Sequence, residues 1–64
     1  MDWKRLSLPG SRLTQYGSDD RRFRILKWDD ESTYQLRRVY PDGPCDFLGR
    51  FPTLAAAQAA AEAV

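Results

Sequence analysis

Few side chains in this sequence have types and spacings that could do chemistry, and the most informative one is missing. None of the 64 residues is a histidine, so the usual general base near neutral pH is absent. Carboxylates come in two runs, Asp19-Asp20 and Asp29-Asp30-Glu31. Such runs could hold a hard cation, but adjacent residues of an extended chain point apart and no Asp-x-Asp-x-Asp-Gly loop is present. They read as solvated turns. Cys45 is the one cysteine, which excludes an intramolecular disulfide and, without histidine, the usual zinc set within one chain. Arg50 is its nearest cation in sequence and Asp46 opposes it, so Cys45 is expected as a buried or half-buried strand residue. Gly10, Gly17, Gly43 and Gly49 are isolated, and none belongs to a phosphate-cradling loop. The inventory predicts no enzyme, no cofactor, no metal site and no small-molecule substrate.

Arginines and aromatics remain. In the run Arg21–Trp28, Phe23 and Ile25 alternate with Arg22 and Arg24; in Thr33–Tyr40, Tyr34 and Leu36 alternate with Gln35 and Arg37. If both runs are strands with their apolar positions on a core, then Arg22, Arg24, Gln35 and Arg37 project together from the opposite face. Arginine can grip phosphates or read guanine edges, and Trp, Tyr and Arg dominate protein interfaces. Arg22, Arg24, Arg37, Trp28 and Tyr40 are therefore the candidate binding residues. The competing reading is an ordinary solvated face, partly neutralised by Asp46 and the acidic turns.

The net charge is only +1, which gives no general attraction to nucleic acid. Charge is unevenly spread, however. Residues 1–28 carry seven basic and three acidic side chains, and residues 29–64 carry three basic and six acidic. A basic patch can therefore exist on a nearly neutral protein.

The elements that must position these residues follow from turn chemistry. A chain of 64 residues makes a single domain, 1–64, and buries only ~60% of its unfolded surface. Residues 1–10 show no clean period and read as an irregular lead-in whose Trp3 packs onto the domain. Residues 11–16 alternate, and Gly17-Ser18-Asp19-Asp20 is a turn cluster. The alternation of the next run slips at Ile25-Leu26, as a bulge or a two-sided central strand would produce. After the acidic turn and the strand Thr33–Tyr40, Pro41-Asp42-Gly43-Pro44 is the clearest turn. Cys45–Phe51 is the last strand. Connections this short require hairpins.

Pro52 then ends the ladder, and Thr53 is placed to cap a helix over 53–64. Seven of the eleven residues from Leu54 to Val64 are alanine, the best helix former. Leu54, Ala57, Ala61 and Val64 share the face expected on the sheet, and Gln58 and Glu62 mark the solvent side. Ala55, Ala59 and Ala63 form a small, uncharged sector that could pack in a homodimer. The predicted fold is α+β: a three- to four-stranded antiparallel β-meander over residues 11–51 with one C-terminal α-helix packed on one face.

The early Trp3, Tyr16 ahead of Gly-Ser-Asp-Asp, the Arg-Phe-Arg-Ile strand and the ending Leu48-Gly49-Arg50-Phe51-Pro52-Thr53-Leu54 with its alanines resemble small actinobacteriophage and actinobacterial proteins. In that group a G-x-F-x-T-L-x-x-A corner leads into an Ala-rich helix. The same ending is similar to the close of two DNA-binding domains, the plant ethylene-response-factor domain and the arm-site-binding domain of tyrosine integrases. That similarity implies a sheet set in the major groove, and it would carry Arg22, Arg24, Arg37 and Trp28 into the contact. This sequence departs from it in lacking an Arg-Gly-Val-type opening strand and in having acidic turns.

No stretch approaches the ~20 apolar residues of a membrane span, and Met1–Arg5 lacks the apolar run of a signal peptide, so a cytoplasmic location is expected. The expectation for function is a small non-enzymatic binding protein, phage-encoded, acting on a host protein or on itself. Sheet-face DNA binding is the alternative.

Overall fold

The computed structural model describes all 64 residues. Five strands form one antiparallel meander in sequence order: β1 (Trp3–Arg5), β2 (Leu13–Ser18), β3 (Phe23–Trp28), β4 (Tyr34–Arg38) and β5 (Asp46–Phe51). One helix, α1 (Leu54–Glu62), packs on β3, β4 and β5. The α+β class and the meander are as expected, with one more strand. The extra strand is β1, inside the segment expected to be irregular. Three residues are too few to show an alternation, and β1 exists because Trp3, Lys4 and Arg5 pair with Ser18, Gly17 and Tyr16.

That pairing also corrects the β2–β3 turn. Gly17 and Ser18 belong to the strand, and the loop is Asp19–Arg22. The Ser18 hydroxyl organises it by accepting the Phe23 N–H (3.0 Å) and donating to Asp20 Oδ1 (2.7 Å). Arg21 holds φ at 62°, a left-handed conformation that an L-residue adopts at a cost.

Register assigns the faces. The row Arg5–Tyr16–Ile25–Leu36–Gly49 crosses all five strands on the side that meets α1. Phe23, Ile25, Leu36, Ala57 and Ala61 are the fully buried apolar residues. Trp3, Tyr16, Tyr34, Phe51, Leu54 and Ala60 pack around them. Alanine at 57 and 61 lets the helix backbone lie close to Ile25 and Leu36. The helix does not reach β1 and β2, where Trp3 and Tyr16 extend the core instead.

The α1 N-terminus forms as its sequence predicts. Thr53 is extended, and its hydroxyl accepts the Ala56 N–H at 3.1 Å, satisfying one of the free donors of the first turn. Val64 does not lie on the sheet. The helix stops at Glu62, Ala63 is its C-cap, and Val64 is exposed. Ala60 packs on the core in its place. Gln58 is half-buried rather than on the solvent side.

The slip at Ile25-Leu26 resolves as a two-sided central strand, because β3 pairs with both neighbours without a break there. The irregularity lies on β5. Leu36 pairs with Gly49 and Arg37 with Phe47, so Leu48 is the extra residue of a bulge. Gly49 has φ 156°, and a Cβ there would come within 3.5 Å of the Phe51 ring. Cys45 precedes β5 and is exposed, not buried in a strand.

Candidate contact surface

The side of the sheet away from α1 carries no second layer. Alternation from the register places Arg24, Leu26 and Trp28 of β3 there, together with Gln35 and Arg37 of β4 and Leu13 and Gln15 of β2. The bulge at Leu48 turns Phe47 onto the same side, opposite Arg37. The Arg50 guanidinium lies 5.8 Å from the Phe47 ring centroid. Leu6 covers Gly17 so closely that a Cβ on that glycine would sit 2.9 Å from Leu6 Cδ1. Trp28 is 45% exposed and Phe47 52%. Large apolar side chains left this open on one face mark a surface suited to contact.

A polar chain crosses this face. Arg50 Nη1 donates to Glu31 Oε2 at 3.0 Å, Gln35 Nε2 donates to Glu31 Oε1 at 3.3 Å, and Arg37 Nη2 donates to Gln35 Oε1 at 3.2 Å. These bonds account for Gln35, a buried polar side chain. They also hold the Arg37 guanidinium in place, leaving its buried Nε without a partner. Arg24 pairs directly opposite Arg37, and neither forms an ion pair within the chain. Like charges placed opposite one another across a ladder repel.

The candidate residues divide. Arg24, Arg37 and Trp28 share the uncovered face. Arg22 does not join them: its Nε is 3.6 Å from Asp20 Oδ2, and its guanidinium lies 5.5 Å from the Phe23 ring. Tyr40 follows Arg38, whose guanidinium is 5.4 Å from the Tyr40 ring, and its hydroxyl donates to Asp46 Oδ2 at 2.9 Å. That hydrogen bond, with some desolvation and the Asp46 charge, raises the Tyr40 pKa above its ordinary value. Tyr40, Arg22 and Arg24 do meet along an open groove beside the β2–β3 loop, which Asp19 and Asp20 also line. With Asp2, Lys4 and Arg21 also on its lining, the groove holds four cations against three carboxylates and is only weakly cationic. Trp28 lies at the opposite end, in a shallow depression with Arg12, Asp29, Asp30 and Glu31.

Ala55 and Ala59 are exposed on α1, and Ala63 is exposed at its C-cap. Sequence reasoning missed Phe47, Leu26, Glu31 and Arg50 as members of the sheet face. Phe47 could not have been found, since its orientation depends on the bulge. Leu26 was readable once β3 was taken as two-sided.

No three Cys, Asp or Glu side chains come together as a metal site, and no helix is long and apolar enough to cross a membrane. Compared with protein-family models, curated proteins and solved structures, the chain matches none.

Proposed function

We propose that this chain is a small non-enzymatic binding protein that works through protein contact, with the uncovered sheet face as its contact surface. One observation carries the reading: Trp28 and Phe47 stand open on the same unlayered face as two arginines that have no carboxylate of their own. Trp and Arg are the residues on which binding energy concentrates. The lack of histidine and the isolated glycines support a non-catalytic role. The resemblance to small actinobacteriophage proteins supports a setting in the cytoplasm of a bacterial host. The test compares immobilised wild type with a Trp28→Ala/Phe47→Ala variant in capture from an actinobacterial lysate, with light scattering on both. A protein retained by wild type and lost by the variant, or self-association lost by the variant, is the expected result. No retained protein together with a monomer at all concentrations would sink the reading.

A second reading is favoured by the direct opposition of Arg24 and Arg37: the same face grips the phosphates of duplex DNA. Polarisation of a labelled duplex at ~50 mM salt should then show binding that falls steeply with added salt. Equal inertness of wild type and Arg24→Ala/Arg37→Ala would remove this alternative.

A further inference from the structure

Register sets one straight line of residues across the uncovered face. Lys4 pairs with Gly17, Gly17 with Arg24, Arg24 with Arg37 and Arg37 with Phe47. Their strand neighbours Trp3, Ile25 and Leu36 lie in or against the core, so Lys4, Arg24 and Arg37 point away from α1. Gly17 has no side chain, and Leu6 fills its place, 2.9 Å from where a Cβ would stand. From β1 to β5 the line runs cation, leucine, cation, cation, phenylalanine. Lys4, Arg24 and Arg37 form no ion pair within the chain. The Arg37 guanidinium makes a single hydrogen bond, to Gln35 Oε1, and its buried Nε has no partner. Glu31, the carboxylate of the polar chain on this face, is already held by Arg50 and Gln35. Arg24 and Arg37 therefore repel one another across the ladder with no carboxylate of the chain to relieve them.

Resting on the reading of this face as a protein-contact surface, we infer that the partner presents an extended acidic segment, laid along this line and across the strands. Adjacent strands are ~4.8 Å apart, so the point midway between Arg24 and Arg37 is ~7 Å from both Phe47 and Gly17 and ~12 Å from Lys4. Residues on one side of an extended chain recur every ~6.7 Å. One carboxylate then sits between the two arginines, with an apolar side chain two residues to one side on Phe47. Two residues to the other side a second apolar side chain meets Leu6, and two further on a second carboxylate meets Lys4. The segment reads apolar-x-acidic-x-apolar-x-acidic in one chain direction or the other. Its central carboxylate replaces the repulsion between Arg24 and Arg37 with charge-assisted hydrogen bonds to both.

Nucleic acid suits the same line less well. A single row of cations offers few phosphate contacts. Trp28, the other large aromatic of this face, shares its depression with Asp29, Asp30 and Glu31 against Arg12 alone. Asp2, Asp19 and Asp20 line the groove beside Lys4 and Arg24. A phosphate chain running on past the row meets these carboxylates, whereas a short segment with its two acidic residues placed on the cations stops before them.

The probes are the labelled peptide Ser-Leu-Ser-Glu-Ser-Val-Ser-Glu-Ser and the same sequence reversed, titrated by fluorescence polarisation with the full chain from ~1 μM to ~1 mM. One of the two should bind with a Kd of about 10–300 μM at ~50 mM salt, weakening as salt rises. Glutamine in place of the glutamate between the apolar residues, or Arg24→Gln in the protein, should weaken binding about tenfold. A peptide of the same composition with its glutamates side by side keeps the charge, loses the spacing and should weaken as much. Arg24 is exposed and opposes Arg37, so Arg24→Gln should melt at or above the wild-type temperature, which separates a lost site from a lost fold. Neither peptide binding below ~1 mM, equal binding by the altered peptides, or indifference to Arg24→Gln would overturn the inference. Labelled oligothymidine that binds more tightly than either peptide, with the same dependence on Arg24, would overturn it in favour of nucleic acid. Self-association of wild type that Arg24→Gln abolishes would overturn it in favour of a second copy. If both peptides stay free while wild type retains a lysate protein that Trp28→Ala/Phe47→Ala loses, the acidic segment is excluded and the contact-surface reading stands. If nothing is retained and the chain is monomeric, both fall.

Discussion

Arg21 offers the most direct test of how the sheet acquires its register, and so of which side chains reach the open face. Its φ of 62° lies in a region where the Cβ of an L-residue crowds the following carbonyl, at ~1–2 kcal/mol. The Arg21 side chain makes no ion pair or cation–π contact that would offset this. Its backbone N–H donates to the Ser18 carbonyl at 3.0 Å, and any non-proline residue keeps that bond. Arg21→Gly removes the crowding but adds freedom to the unfolded chain worth ~0.4–1 kcal/mol. The net expectation is a gain of about 0.5–1 kcal/mol, or about 2–8 °C in Tm for a domain of this size. Arg21→Asn should also stabilise, because Asn tolerates the left-handed region without glycine's entropy. Arg21→Val should destabilise by about 1 kcal/mol, since a branched Cβ fits worst there. Thermal and urea melts followed by far-UV circular dichroism would measure all three. Gly and Asn variants both at or below wild type would refute the left-handed turn. They would also undercut the register of β3 that places Arg24, Leu26 and Trp28 on one face, because a slip of one residue exchanges the faces.

Ala57 is fully buried between α1 and the sheet, so Ala57→Leu must push the helix away and should cost ~1–3 kcal/mol, whereas Ala55→Leu on the exposed side should be near neutral in the same melts. Thr53→Ala removes the cap that receives the Ala56 N–H and should cost ~1 kcal/mol, with Thr53→Ser close to wild type. The Asp20 carboxyl is held below its ordinary 3.8, first by the Ser18 hydroxyl, then by the Arg22 backbone N–H and the Arg22 charge. A depressed folded-state pKa stabilises above the unfolded value and is lost as pH falls through the folded one. The urea midpoint should therefore fall below about pH 4, and less steeply in Asp20→Asn.

Much of the fold was legible because its signals are local. Phe23, Ile25, Tyr34 and Leu36 take the core side that their alternation predicts, and Thr53 caps the helix that the alanines propagate. The extra strand was not legible. Trp3–Arg5 has no pattern of its own and becomes a strand only by pairing with Tyr16–Ser18, and the same pairing draws Gly17-Ser18 out of the turn. The candidate surface was half legible. Alternation put Arg24 and Arg37 together, but it could not foresee that Asp20 and the Phe23 ring draw Arg22 aside or that Asp46 binds Tyr40.

By itself the sequence determined the residue inventory, the α+β class, the hairpin connections and the chemistry of the corner into α1. These depend on residue type, on periods of two and 3.6, and on turn and capping preferences that act within a few residues. Only the tertiary structure decided which arginines are free. That depends on the Leu48 bulge, on the register of three adjacent strands and on which carboxylates come within reach. These are contacts between residues distant along the chain, and periodicity carries no information about them. The chain has one helix for five strands, so one sheet face is left without a layer, and on that face Arg24, Arg37, Trp28 and Phe47 stand together.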